Sequence, residues 1–177
     1  MTLERGPATN ELFGAFFEAV QQAGYSLTDD VNGWKQEGFA KFDRMIRGGK
    51  RCSASVAYLH TGSVLTRPNL TVECNATVSR LLLSDGRVSG VEYSTALGGC
   101  DWARGAEVIV CGGSINSPQL LQVSGIGDGK LLKQAGIRPL HELGGVGQNL
   151  QDHLEVMCVL VSAGGMIRRA RVSSGCP

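Results

Sequence analysis

The stretch that most restricts what this chain can fold into runs from Glu107 to Gly125. Glu107-Val108-Ile109-Val110-Cys111 is a short apolar run, the pattern of a strand buried on both faces. It enters Gly112-Gly113, after which Ser117-Pro118 offers a helix cap and a first-turn proline. Gln119 to Val123 reads as the helix, and Ser124-Gly125 as its end. A buried strand, a glycine turn and a helix start belong to α/β layering. They also set backbone N–H groups where a nucleotide can meet them. Many α/β domains contain this unit, so it speaks for fold class before it speaks for function.

Other segments fit the same class. Asn10 is placed to cap a helix over Glu11 to Ala23 that Gly24 closes. Leu12, Phe13, Phe16, Phe17 and Val20 fall at helical spacing and form an apolar stripe expected to pack in a core. Residues 25–50 are glycine-punctuated loop with short strands around Gly38 to Ile46, and Ser53 to Leu59 reads as a helical turn. Arg67-Pro68-Asn69 is a turn expected to launch a strand over Leu70 to Cys74. Val78 to Leu83 and Val88 to Tyr93 flank Ser84-Asp85-Gly86-Arg87, a hairpin signal. Gly98-Gly99 marks a further turn. Residues 131–143 hold a short helix and a strand-like Arg138 to Leu143, and Gly144 to Gly147 is loop.

Composition excludes several classes. The 177 residues are 42% hydrophobic and 19% charged with a formal net charge of +1, which is globular and gives no field for nucleic acid. The longest apolar runs, such as Val156 to Val161, are too short to span a bilayer. No signal-peptide core follows Met1. The six cysteines show no C-x-x-C spacing and are expected to be reduced and structural, and no metal site is expected. Gly145-Val146-Gly147-Gln148-Asn149-Leu150 fails as a dinucleotide fingerprint because Leu150 replaces the third glycine. Gly129-Lys130 lacks the rest of a P-loop. The sequons at Asn69 and Asn75 lie in or beside an expected strand. His60, His141 and His153 have no nucleophile or metal partner at a recognisable spacing, and His153 beside Asp152 reads as structural.

A longer pattern is more specific. Gly113-Ser114-Ile115-Asn116-Ser117-Pro118-Gln119-Leu120-Leu121-Gln122-Val123-Ser124-Gly125-Ile126-Gly127 resembles the second signature of the glucose–methanol–choline (GMC) oxidoreductases. It is flanked in the family's order by Gly49-Lys50-Arg51-Cys52-Ser53-Ala54, Arg67-Pro68-Asn69-Leu70 and Gly145 to His153. Phe17-Glu18-Ala19 through Tyr25, with Asn32-Gly33 and Gln36 to Phe39, are most similar to the choline-oxidising branch.

The resemblance implies a mixed α/β chain: an incomplete Rossmann-like FAD/NAD(P)-binding domain of GMC type with part of the substrate domain. The expected domain covers residues 10–157, with 158–177 a divergent, disordered tail. It implies FAD as cofactor and a small alcohol, choline by resemblance, as substrate, oxidised by hydride transfer to flavin. By the same resemblance Val78 is a position whose backbone meets the FAD adenine, and Gly112 and Gly113 form the strand-end turn near the cofactor. The family's G-x-G-x-x-G cradle and its catalytic histidine do not occur in these residues. The chain alone is therefore expected to be inactive, with no catalytic residue of its own. A mitochondrial location follows from the resemblance alone. A catalytically dead binding module, or a family enzyme for another alcohol, remain as alternatives.

Overall fold

Asn10 begins the first helix as its sequence suggests. Its side-chain oxygen accepts the Leu12 N–H at 2.9 Å, and helix α1 runs over Glu11–Gln22. Gly24, at φ 86°, closes it in the left-handed conformation that favours glycine. The short strands near it are β1 (Glu4–Arg5) and β2 (Asp43–Arg44), paired antiparallel, and β3 (Ile46–Arg47) with β4 (Lys50–Arg51). A π-turn over Ser55–Leu59 takes the place of the expected helical turn, followed by a single 3-10 turn over Val64–Thr66.

Most of the apolar stripe of α1 does not become core. Val20 is buried, whereas Leu12, Phe13 and Phe16 are 60%, 47% and 42% exposed. Phe39 meets Phe16 and Tyr25 edge-on, at 5.8 Å and 5.7 Å between ring centroids. The expected strand Leu70 to Cys74 is also absent. The turn at Pro68-Asn69 forms, with the Leu70 N–H donating to the Arg67 carbonyl, but the following residues find no ladder partner.

The computed structural model describes residues 1–155 and divides into two compact units, Met1–Cys74 and the part beginning at Asn75. The tail expected over 158–177 lies outside the described residues.

In the second unit the hairpin forms as its turn demands. Asp85 and Gly86 take φ of 52° and 73°, and two left-handed residues in succession match the twist of paired strands. They join β5 (Thr77–Ser84) to β6 (Arg87–Ser94), and β7 (Cys100–Arg104) completes an antiparallel sheet in the order β5-β6-β7. The last strand was not expected. It is wholly exposed, carries Asp101 and Arg104, and rests Arg104 over the Trp102 ring at 5.3 Å. Charged residues on an edge guard it against further pairing and hide it from a hydrophobicity reading.

Helix α2 spans Gly113–Val123, beginning four residues before the expected cap. Gly112 is the N-cap, Ser117 lies inside, and Pro118 sits in the second turn. The helix packs against β5, a tertiary contact that the local start signal does not encode. Before it, Glu107 to Cys111 forms no strand among the described residues, and Ile109 is 79% exposed. A run built for burial on both faces needs strands on both sides, and none pairs with it here. Val108 and Val110 are half-buried while their neighbours are exposed, so the run keeps the two-residue period of extended chain.

Gly125, at φ 83°, ends α2 and leads into β8 (Ile126–Gly127). Asp128 caps α3 (Gly129–Gln134), and β9 (His141–Glu142) returns parallel to β8. The core of this unit is Leu81, Ile126 and Val146, with Val91, Val108, Val110, Leu120 and Leu121 packed on it. No helix among the described residues is long and apolar enough to cross a membrane, and the four described cysteines are free.

Candidate functional site

A cavity of about 530 Å³ opens between β5, the run Val108 to Gly112, and α2. Its walls are largely apolar, with Val78, Leu81, Val91, Val108 and Leu120 among them, and Gly112 forms part of its rim. Asn116, Gln119, Leu120 and Val123 face it from α2. The sequence reading missed these four, although they recur every three or four residues along one helical stripe.

The edge of β5 reaches the cavity through an irregularity in pairing. Val78 stands opposite Tyr93 and Arg80 opposite Glu92, so Ser79 is an extra residue. Arg80 donates to one Glu92 carboxylate oxygen at 2.7 Å and the Ser79 hydroxyl to the other at 3.1 Å. Those bonds, Arg80 first, hold Glu92 below the usual carboxylate range. A bulge of this kind shifts the alternation by one. Val78 and Leu81, three positions apart, therefore face the same way, and both line the cavity. The Leu81 N–H points off the open side of β5 and donates to the Ser124 hydroxyl at 2.8 Å.

Val78 and Gly112 are thus brought to one cavity. Gly113 is not among its lining residues: it begins α2 at φ 81°, and a Cβ added there would meet nothing within 4 Å. A Cβ on Gly112 would come 3.2 Å from the Asn116 Cβ and the Ser117 nitrogen. The absent side chain at Gly112 leaves room for the first turns of α2 that it caps.

A second hollow, of about 850 Å³, shares Gln119 with the first and is lined also by Gln122, Gln148, Asn149 and Gln151. The failed fingerprint Gly145 to Leu150 partly lines it, without a strand-turn-helix setting. None of the three histidines borders either cavity. His153 is exposed, with Asp152 at 3.3 Å and Glu155 at 3.1 Å.

Residues 1–155 match the family described as GMC oxidoreductase. The chain belongs to the GMC oxidoreductase family. Its mixed α/β architecture agrees with that family's solved members. Pyridoxine 4-oxidase from Mesorbium loti is 31% identical with a TM-score of 0.77, covering 85% of this chain and 30% of that one. An FAD-dependent oxidoreductase from Chaetomium thermophilum is 29% identical with a TM-score of 0.72, covering 85% of this chain and 26% of that one. An oxygen-dependent choline dehydrogenase from Staphylococcus aureus is 51% identical over 154 residues, which are 87% of this chain and 26% of the relative. The Staphylococcus haemolyticus counterpart is 49% identical over 87% of this chain and 27% of its own length. The chain spans about a quarter of the length of these curated GMC relatives. They also correct the expectation of a mitochondrial location, since staphylococci are bacteria and have no such organelle.

Proposed function

We propose that this chain supplies the adenine end of an FAD site in a flavoprotein that oxidises choline. The cavity at the β5 edge carries the reading. Its apolar walls suit the faces of a heteroaromatic base. The Val78 main chain adds one N–H donor and one carbonyl acceptor, the complement of adenine N1 and its amino group. At about 530 Å³ the cavity falls within the range of ordinary ligand pockets. Gly112 lines the slot where α2 begins, and Gly113 next to it takes the left-handed conformation that starts the helix. On this reading residues 10–157 are part of the FAD-binding domain.

FAD, when bound, would accept the hydride from the carbinol carbon as choline becomes betaine aldehyde. The chain's own residues exclude water from the base and hold its edge. The slot would take the adenine and not the reacting flavin ring, so turnover by the chain alone is not expected. Choline is favoured because the staphylococcal choline dehydrogenases share about half of the aligned residues.

The test has two arms. In the first, the 177-residue chain is titrated with FAD and with FMN, which lacks adenine. Preference for FAD, without choline-dependent dye reduction, is expected; equal affinity overturns the adenine slot. In the second, residues 1–155 replace the matching span of the Staphylococcus aureus relative. The chimera is expected to oxidise choline ahead of simple alcohols. A flavin-loaded chimera that prefers another alcohol overturns the substrate assignment.

A further inference from the structure

We propose that Ser124 is the positioning residue of the base slot, fixing the gap between the open edge of β5 and helix α2. The inference rests on the adenine reading above and adds the residue that makes the slot selective. Ser124 is 5% exposed and is the buried polar side chain of the described core. Its hydroxyl donates to the Leu120 carbonyl at 2.6 Å and accepts the Leu81 N–H at 2.8 Å. Both hydrogen-bonding roles of the hydroxyl are therefore in use, one on each wall of the cavity. Leu81 and Leu120 each line that cavity.

The bond to Leu81 is unusual in kind. A strand-edge N–H normally waits for another strand or for water. Here it is taken by a helix C-cap forty-three positions away in sequence. The tie lies just beyond the bulge from Val78, which lines the same cavity. Hydrogen bonds to a base edge reward a fixed separation and weaken steeply as alignment is lost. A slot held at one width by Ser124 therefore discriminates between bases, while a loosened slot keeps its apolar walls and loses selectivity. Ser124 touches no ligand itself; it acts through the position of β5.

The experiment uses the full 177-residue chain as wild type, Ser124→Ala, Ser124→Cys and Val146→Ala. Each is first checked for fold by circular dichroism. FAD and FMN affinities are then measured by flavin fluorescence. Ser124→Ala is expected to weaken FAD about tenfold while leaving FMN unchanged, so the FAD-to-FMN ratio collapses. Val146→Ala thins the same core without touching the tie and is expected to lower the melting temperature but keep the ratio. If the alanine chain does not hold its fold, Ser124→Cys, near-isosteric but a poor acceptor, gives the same readout. A Ser124 variant that retains the ratio, or a Val146→Ala chain that loses it equally, overturns the positioning role. A wild type without FAD preference instead overturns the adenine reading.

Discussion

Replacing Gly125 by alanine separates two costs that are usually confounded. Gly125 is buried at φ 83°, where a side chain strains the backbone by about 1–2 kcal/mol. The new Cβ would also lie 2.7 Å from the Arg138 carbonyl oxygen and 2.9 Å from the Leu140 Cγ. Both atoms belong to the segment that returns to β9, and the Gly125 carbonyl accepts the N–H groups of Leu140 and His141 at 2.8 Å and 3.1 Å. That segment cannot retreat without stretching those bonds, and forced overpacking of this sort costs about 1–3 kcal/mol more. Gly136 provides the control. It has φ 75° but nothing within 4 Å of an added Cβ, so Gly136→Ala should carry only the backbone strain. Urea unfolding followed by circular dichroism should rank Gly125→Ala below Gly136→Ala by about 1–3 kcal/mol. Agreement of the two variants within about 0.5 kcal/mol, the scatter of independent sites, would refute the steric argument.

Three further outcomes are expected. Leu81→Ala, at a side chain 4% exposed in the core, should cost about 2–5 kcal/mol in the same unfolding assay, and a loss under 1 kcal/mol would deny it that role. Asp128 accepts the N–H groups of Lys130 and Leu131 at 2.8 Å and 3.0 Å. Asp128→Ala should therefore lower stability by about 1 kcal/mol, whereas Asp128→Asn should retain most of it. Glu92 is held below its ordinary range by Arg80 and then Ser79. Its contribution is whole above the unfolded value of about 4.3 and is lost as pH falls through the depressed folded value. Melting temperature should fall more steeply in wild type than in Glu92→Gln below about pH 4.3. Parallel acid profiles would show that the exposed pair contributes nothing.

What was legible in the sequence was local. Asn10, Gly24, Asp85-Gly86 and Gly125 each dictate a backbone conformation through their own chemistry, and each forms the cap or turn expected of it. What was not legible depended on neighbours. The α1 stripe and the run Glu107 to Cys111 are both written for burial, yet each is covered only in part: Val20 is buried and Val108 and Val110 pack on the core, while Leu12, Phe13, Phe16 and Ile109 stay exposed. Ser117-Pro118 carries a genuine start signal, yet α2 begins upstream of it and packs against β5. The candidate site divides in the same way. Gly112 came from the family resemblance, and the stripe of α2 was missed because the expected helix began after Asn116. The approach of Val78 to the same cavity depends on a bulge at Ser79 for which the strand's residue types give no sign.

That bulge makes the length of β5 matter more than its spelling. Many exchanges at Ser79 would leave the number of residues between Val78 and Leu81 intact, and with it the direction each one faces. Removing any single residue there would roll the near end of the strand over, sending Val78 away from the cavity while the hairpin stayed paired. Lineages related to this chain should tolerate point changes in this strand and resist insertions and deletions.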